Sequence, residues 1–162
     1  MLLVSHEQAV DGLVLVALTQ MDSKVLVRAV TDLKTAVFVV NRDGSALNQV
    51  TPWSRGVSAK LDWSPDGSKL LISSPQAERP GTASNVFTIR PDGTGLTQLT
   101  HETTPGVHLL ADGFSPDGGK IIFARTVDGG PFQVYVMNAD GSGIAQLTHG
   151  IDAHWASWGS AA

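Results

Sequence analysis

One phrase occurs three times in this chain: "VFVVNRDGSALNQVT" from Val37, "VFTIRPDGTGLTQLT" from Val86 and "VYVMNADGSGIAQLT" from Val134. Its aspartates, Asp43, Asp92 and Asp140, fall 49 and then 48 residues apart. A second phrase keeps nearly the same step. "WSPDGSKLLISS" begins at Trp63 and "FSPDGGKIIFAR" at Phe114, which sets Asp66 and Asp117 51 residues apart. Self-similarity at such a period means stacked copies of one supersecondary unit, because a unit of this size cannot bury its apolar face without a neighbour.

Inside each unit the residues spell strand, turn, strand. "KLLISS" and "KIIFAR" are short apolar runs bounded by turn residues, and "QVYVMN" alternates as a half-buried strand does. In Ser-Pro-Asp-Gly the proline presets the first central φ, the aspartate tolerates the second, and the glycine takes the left-handed position that follows. That combination is a type I turn closed by a bulge, which joins adjacent antiparallel strands. "DGSG" and "DGTG" do the same for the next pair. Each unit therefore holds four strands: 57–63, 69–74, 85–90 and 96–100 in the second, and 107–114, 120–125, 132–138 and 144–148 in the third. The first unit is degenerate. "LVLVALTQMDSKVLVRAV" keeps two strands and Lys24 but has Gln-Met-Asp-Ser where the others have the proline turn, and its outer strands fall at 37–41 and 47–51. No helix is expected. The expected fold class is all-β: four-stranded antiparallel units, about three of them, over 12–51, 57–100 and 107–148, with the blades of a β-propeller among the leading candidates. "HWASWGS", within 151–162, reads as the start of a further blade.

The totals fit that reading. At 162 residues the chain has the length of one domain, and 42% apolar residues supply a core. Only 16% are charged, with a net charge of −4 and no runs, so nothing recommends a nucleic-acid surface. Cysteine is absent, which excludes a disulfide scaffold and thiolate metal sites. At the N-terminus, "MLLVSHEQAVDGLVLVALTQ" has no Lys or Arg, and His6, Glu7 and Asp11 interrupt its apolar residues. Neither an export signal nor a membrane span is expected there, and the compartment stays open.

The pattern resembles the TolB-type, WD-like β-propeller repeat. Trp63 to Gly67 and Phe114 to Gly118 match its aromatic-Ser-Pro-Asp-Gly turn, and Tyr135 to Asn138, Asp140, Gly141, Leu147 and Thr148 match the rest, so the resemblance covers roughly 37–158. It implies blades packed around a central channel, and an extracytoplasmic setting of the kind common in such proteins. It does not carry one function, because the same propeller serves as scaffold, as peptidase gate and as binding platform. Propellers typically close with at least four blades, and about three are encoded here, leaving apolar blade faces bare at the ends. The segment is then either part of a longer protein or half of a ring, a homodimer completing six blades.

Chemistry has few candidates. Trp63, Phe114 and Trp158 hold equivalent places and are expected to fill space between blades. "NADGSG" from Asn138 matches half of a calcium loop, but His149 stands where the closing Glu belongs, and the second unit has Arg90 and Pro91 in the leading places. His101 and His149 recur in equivalent loops, followed by His108 and His154, without a recurring carboxylate partner, so no metal site and no cofactor is assigned. No Gly-x-Ser-x-Gly elbow occurs, and the Gly-x-Gly pairs lack the third glycine of a dinucleotide loop.

Topology locates the working face instead. In an antiparallel four-stranded unit the short Asp-Gly turns share one face, and the longer connections 75–85, 101–108 and 126–131 share the other. Glu78, Arg79, His101, Glu102, His108, Arg125 and Asp128 on that long-loop face are the candidate partner-binding residues. The expected function is a non-enzymatic module that binds or scaffolds a protein or peptide. The alternative is the propeller portion of a larger hydrolase or peptidase whose catalytic domain lies outside this chain.

Overall fold

The computed structural model describes residues 14–21, 23–31, 34–58, 60–75 and 82–159. Within them, three antiparallel sheets follow one another along the chain. Blade 1 contains β1 (Val14–Met21), β2 (Lys24–Thr31), β3 (Lys34–Asn41) and β4 (Asn48–Gln49). Blade 2 contains β5 (Asp62–Trp63), β6 (Leu70–Pro75), β7 (Ser84–Ile89) and β8 (Thr97–Gln98). Blade 3 contains β9 (Val107–Phe114), β10 (Lys120–Val127), β11 (Gln133–Asn138) and β12 (Ala145–Gln146). In each, spatial order equals chain order, as in a blade whose strands run from hub to rim. The hub strand β5 lies against β1 on one side and β9 on the other. This is a partial β-propeller.

The duplicated Ser-Pro-Asp-Gly phrase is explained by its hydrogen bonds. The Gly67 and Gly118 amides donate to the Ser64 and Ser115 carbonyls at 2.8 Å, closing the turn, with φ of 69° and 72° at the glycines. Each serine hydroxyl donates to the turn aspartate and accepts from the lysine amide at the entry to the next strand, Lys69 just before β6 or Lys120 at the start of β10, at 2.9 Å. One side chain thereby satisfies the groups that a tight turn leaves bare.

The inter-blade cores follow from strand alternation. On blade 2, Leu70, Ile72, Phe87 and Ile89 face blade 1 and pack with Leu26, Val37 and Val39. Leu71 and Val86 take the opposite face and pack with Leu109, Ile121, Phe123 and Met137 of blade 3. Covered on both sides, β7 is buried along its whole length. Trp63 and Phe114, 6% and 9% exposed, fill these interfaces. Trp158 does not. It is 36% exposed, its indole N–H reaching the Gly113 carbonyl at 3.4 Å, because among the described residues no sheet follows to cover it.

Three details differ from the sequence expectation. Trp53–Arg55 forms one turn of 3-10 helix, ended by Gly56 in the left-handed region at φ 62°. The first strand of blade 2 shrinks to Asp62–Trp63; upstream, the Ser58 amide still donates to the Ser73 carbonyl of β6 at 2.9 Å, and the Val57 carbonyl accepts from the Thr35 hydroxyl of blade 1 at 2.8 Å. The outermost strands are also short, two residues each, and a threonine takes over where pairing stops. The Oγ1 atoms of Thr51, Thr100 and Thr148 accept the amides of Val37, Val86 and Val134, each at 2.9 Å.

Candidate functional site

The candidate loop residues separate into groups. His101 and Glu102 lie just beyond the Thr100 latch, where the chain leaves blade 2. Buried Asn85 fixes that departure: its Oδ1 accepts the Glu102 amide at 2.7 Å and the Thr100 hydroxyl at 2.9 Å, and its Nδ2 donates to the Glu102 carbonyl at 2.9 Å. Held this way, the Glu102 side chain turns back on its own loop. Oε1 accepts the Thr103 and Thr104 amides at 3.0 Å, and Oε2 accepts from Arg125 Nη2 at 3.2 Å. The Thr104 amide foremost, then the Thr104 hydroxyl, Arg125 and the Thr103 amide, hold this carboxyl at about 2, well below its ordinary value.

Arg125 comes from β10, on the face that carries Phe123 and Leu109 toward blade 2. Together these residues wall a cleft of about 300 Å³ between blades 2 and 3, lined by Thr100, His101, Glu102, Arg125, Tyr135 and Ile144 above Leu109 and Phe123. Tyr135 stacks on Phe123 with centroids 5.5 Å apart and planes 20° apart, and its hydroxyl donates to Gln146 Oε1 at 3.0 Å. The cleft thus combines an ion pair, an anchored aromatic ring and an exposed aliphatic side chain.

Two other candidates lie elsewhere. His108 alternates with Leu109 and so takes the opposite face of β9. Asp128 is exposed in the turn after β10 at φ 49°, its amide donating to the Gly106 carbonyl at 2.8 Å. Glu78 and Arg79 lie outside the described residues.

Two acids at the hub stand outside the candidates that the sequence suggests. Asp62 on β5 accepts the Phe114 amide of blade 3 at 3.0 Å as well as its own neighbour's, Trp63, at 2.9 Å. Asp112 is the extra residue of a bulge in β9, for Ala111 and Gly113 pair with consecutive residues of β10. Its carboxylate accepts Lys60 Nζ at 3.0 Å and the Ala156 amide at 3.2 Å. Burial pushes both carboxyls above their ordinary value, opposed at Asp62 chiefly by the Phe114 amide and at Asp112 by Lys60. These acids join neighbouring blades. The shared position, one or two residues before the turn aromatic, was the available signal.

On the opposite face, Asp43, Asp92 and Asp140 each accept the amide and hydroxyl of the Ser or Thr two residues on. The half-match to a calcium loop is therefore a set of self-bonded turns. Among the described residues no three His, Asp or Glu side chains come together as a metal site.

No family model matches the chain, and no curated protein matches it. Solved structures do. A structure named for TolB from Agrobacterium tumefaciens superposes with a TM-score of 0.63 at 17% identity, covering 76% of this chain and 44% of that one. TolB from Acinetobacter baumannii gives a TM-score of 0.59 at 19% identity, over 78% of this chain and 30% of that one. A prolyl endopeptidase gives 0.66 at 18% identity, over 87% and 23%. The chain spans less than half the length of each. Three sheets meandering from hub to rim, their repeated turns and these superpositions identify the fold as that of a TolB-like β-propeller segment.

Proposed function

We propose that the chain is a non-catalytic propeller module that holds a protein or peptide in the cleft between blades 2 and 3. One observation carries the reading: His101 and Glu102 from one connection, Arg125 from β10 and Tyr135 from β11 converge on one cleft of about 300 Å³. Groups brought together from separate chain segments, around a ring held on two sides, are pre-organised for a ligand and lower the cost of ordering on binding. The test is selection of binders from a displayed peptide library against the wild-type chain, re-measured on His101→Ala, Arg125→Ala and the turn-face control Asp92→Ala. Selected peptides are expected to lose roughly tenfold or more in affinity on the first two and nothing on the control. Equal binding to all variants would refute the cleft as the site.

A second reading has its own support. The superposition on a prolyl endopeptidase covers 87% of this chain, and in that case the blades are the propeller portion of a larger hydrolase. A flanking reading frame with an α/β domain and a nucleophile elbow would favour it. Closure of a ring by two chains is a separate proposal, decided by solution mass: 17.0 kDa for one chain against twice that.

A further inference from the structure

The three blades provide an internal comparison. The repeated phrase puts an aromatic ring at one position of each third strand, Phe38, Phe87 and Tyr135. At the junction of blades 1 and 2, the protein covers that ring with its own residue: the Arg55 guanidinium carbon lies 5.5 Å from the Phe87 centroid, and Phe87 is only 4% exposed. Arg55 is fixed there by its backbone, its carbonyl accepting the Ser74 hydroxyl at 2.7 Å. Counted from the matching latches Thr51 and Thr100, the residue corresponding to Arg55 in the next connection is Thr104. A threonine is too short to cross the junction. Tyr135 stays half-buried, and the space beside it is the cleft.

We propose that this cleft receives the guanidinium of an arginine presented by a peptide partner, laid over Tyr135 as Arg55 is laid over Phe87. The inference rests on the reading that the cleft binds a peptide, and it names the side chain recognised. The geometry suits a cation. Tyr135 is stacked on Phe123 and tied at its hydroxyl to Gln146, so the ring is fixed before a ligand arrives. A guanidinium over such a ring is attracted by the ring quadrupole, more strongly where water is partly excluded. Arg125 does not fill this role, because Glu102 already engages it. The wall formed by that pair is neutral, and the net charge of −4 leaves the long-range field in favour of a cation.

Tyr135 is the chain's only tyrosine, so a protein labelled in its tyrosine ring reports on the cleft through one set of NMR signals. The probe is acetyl-Gly-Arg-Gly-amide, titrated beside the same peptide with citrulline, which keeps the shape and removes the charge. The expected result is a saturable shift of the ring signals by the arginine peptide, with affinity roughly fivefold to tenfold above the citrulline peptide. Thr104→Arg, which restores the pattern of the first connection, is expected to move the ring signals without any peptide and to abolish the response. Thr104→Ser is expected to respond as the wild type does. If citrulline moves the ring as far as arginine, the guanidinium assignment is overturned while peptide binding at the cleft stands. If neither peptide moves it, and library-selected peptides still lose affinity on Arg125→Ala, the assignment again fails alone. Should those selected peptides bind every variant equally, both readings fall.

Discussion

Three equivalent glycines offer a direct measurement of how closely the blades approach one another. Gly44, Gly93 and Gly141 follow the aspartate of the second turn in blades 1, 2 and 3, at φ of 85°, 86° and 90°. A side chain at any of them carries the cost of the left-handed region, about 1 kcal/mol. Their surroundings differ. A Cβ on Gly44 would meet nothing within 4 Å, one on Gly93 would lie 3.0 Å from the Val50 carbonyl oxygen, and one on Gly141 only 2.6 Å from that of Leu99. Val50 and Leu99 close the preceding blade, so the second term belongs to the blade junction. Backbone cannot rotate out of the way as a side chain can, and such overpacking costs about 1–3 kcal/mol. Alanine should therefore cost about 1 kcal/mol at Gly44, about 2 at Gly93 and about 3 to 4 at Gly141. In a domain of this size each kcal/mol lowers the melting temperature by about 2–4 °C. Urea and thermal unfolding of the three single variants, followed by two spectroscopic probes to check that the transitions coincide, would order them. Equal losses at all three positions, or the largest at Gly44, would refute the close packing of turn on blade.

Three further outcomes follow from the hydrogen bonds and charges. Thr100→Val keeps the shape but strips the acceptor from the buried Val86 amide, and should cost about 1–3 kcal/mol in urea unfolding; Thr148→Val, at the half-buried equivalent in blade 3, should cost less. Lys60→Met leaves Asp112 without the cation that opposes its burial, for a loss of about 2 kcal/mol that Lys60→Met/Asp112→Leu should partly recover. Because burial raises the folded carboxyl, the single variant should lose stability as pH rises through the folded value, above the ordinary 3.8. Glu102 has the opposite sign: lowered from 4.5 to about 2, it stabilises the fold above its ordinary value, and that contribution is lost as pH falls toward 2. Thermal melts from pH 2 to 7 should show a flatter acid limb for Glu102→Gln, by less than about 1 kcal/mol at this solvated site; an unchanged limb would remove Glu102 from the account.

Much of this was legible in the residues because turn chemistry is local. Ser-Pro-Asp-Gly and Asp-Gly-Ser-Gly prescribe their own geometry, and alternation then assigns each strand its two faces. What was not legible depends on contacts between units. That Asp62 would reach the Phe114 amide, or that Asn85 would fix the departure of Glu102, follows from how one blade sits on the next. The candidate residues show the same division. His101, Glu102 and Arg125 share the cleft, because one connection and one strand end meet at that junction. His108 does not, because a single step along β9 reverses its face. Tyr135 stands in the sequence only as the aromatic of the repeated phrase, and the change from Arg55 to Thr104 in the neighbouring connection accompanies its half-exposure.

The two-residue outer strands carry a mechanical consequence. Each ends in one hydroxyl latch, whereas the innermost strands of blades 2 and 3 are tied by Asp62 and by paired bonds between Ser84 and the Leu109 backbone. Thermal breathing should thus begin at the periphery and die away toward the axis, and amide exchange should slow in that order. The blades can loosen at their outer edges while the strands nearest the axis stay closed.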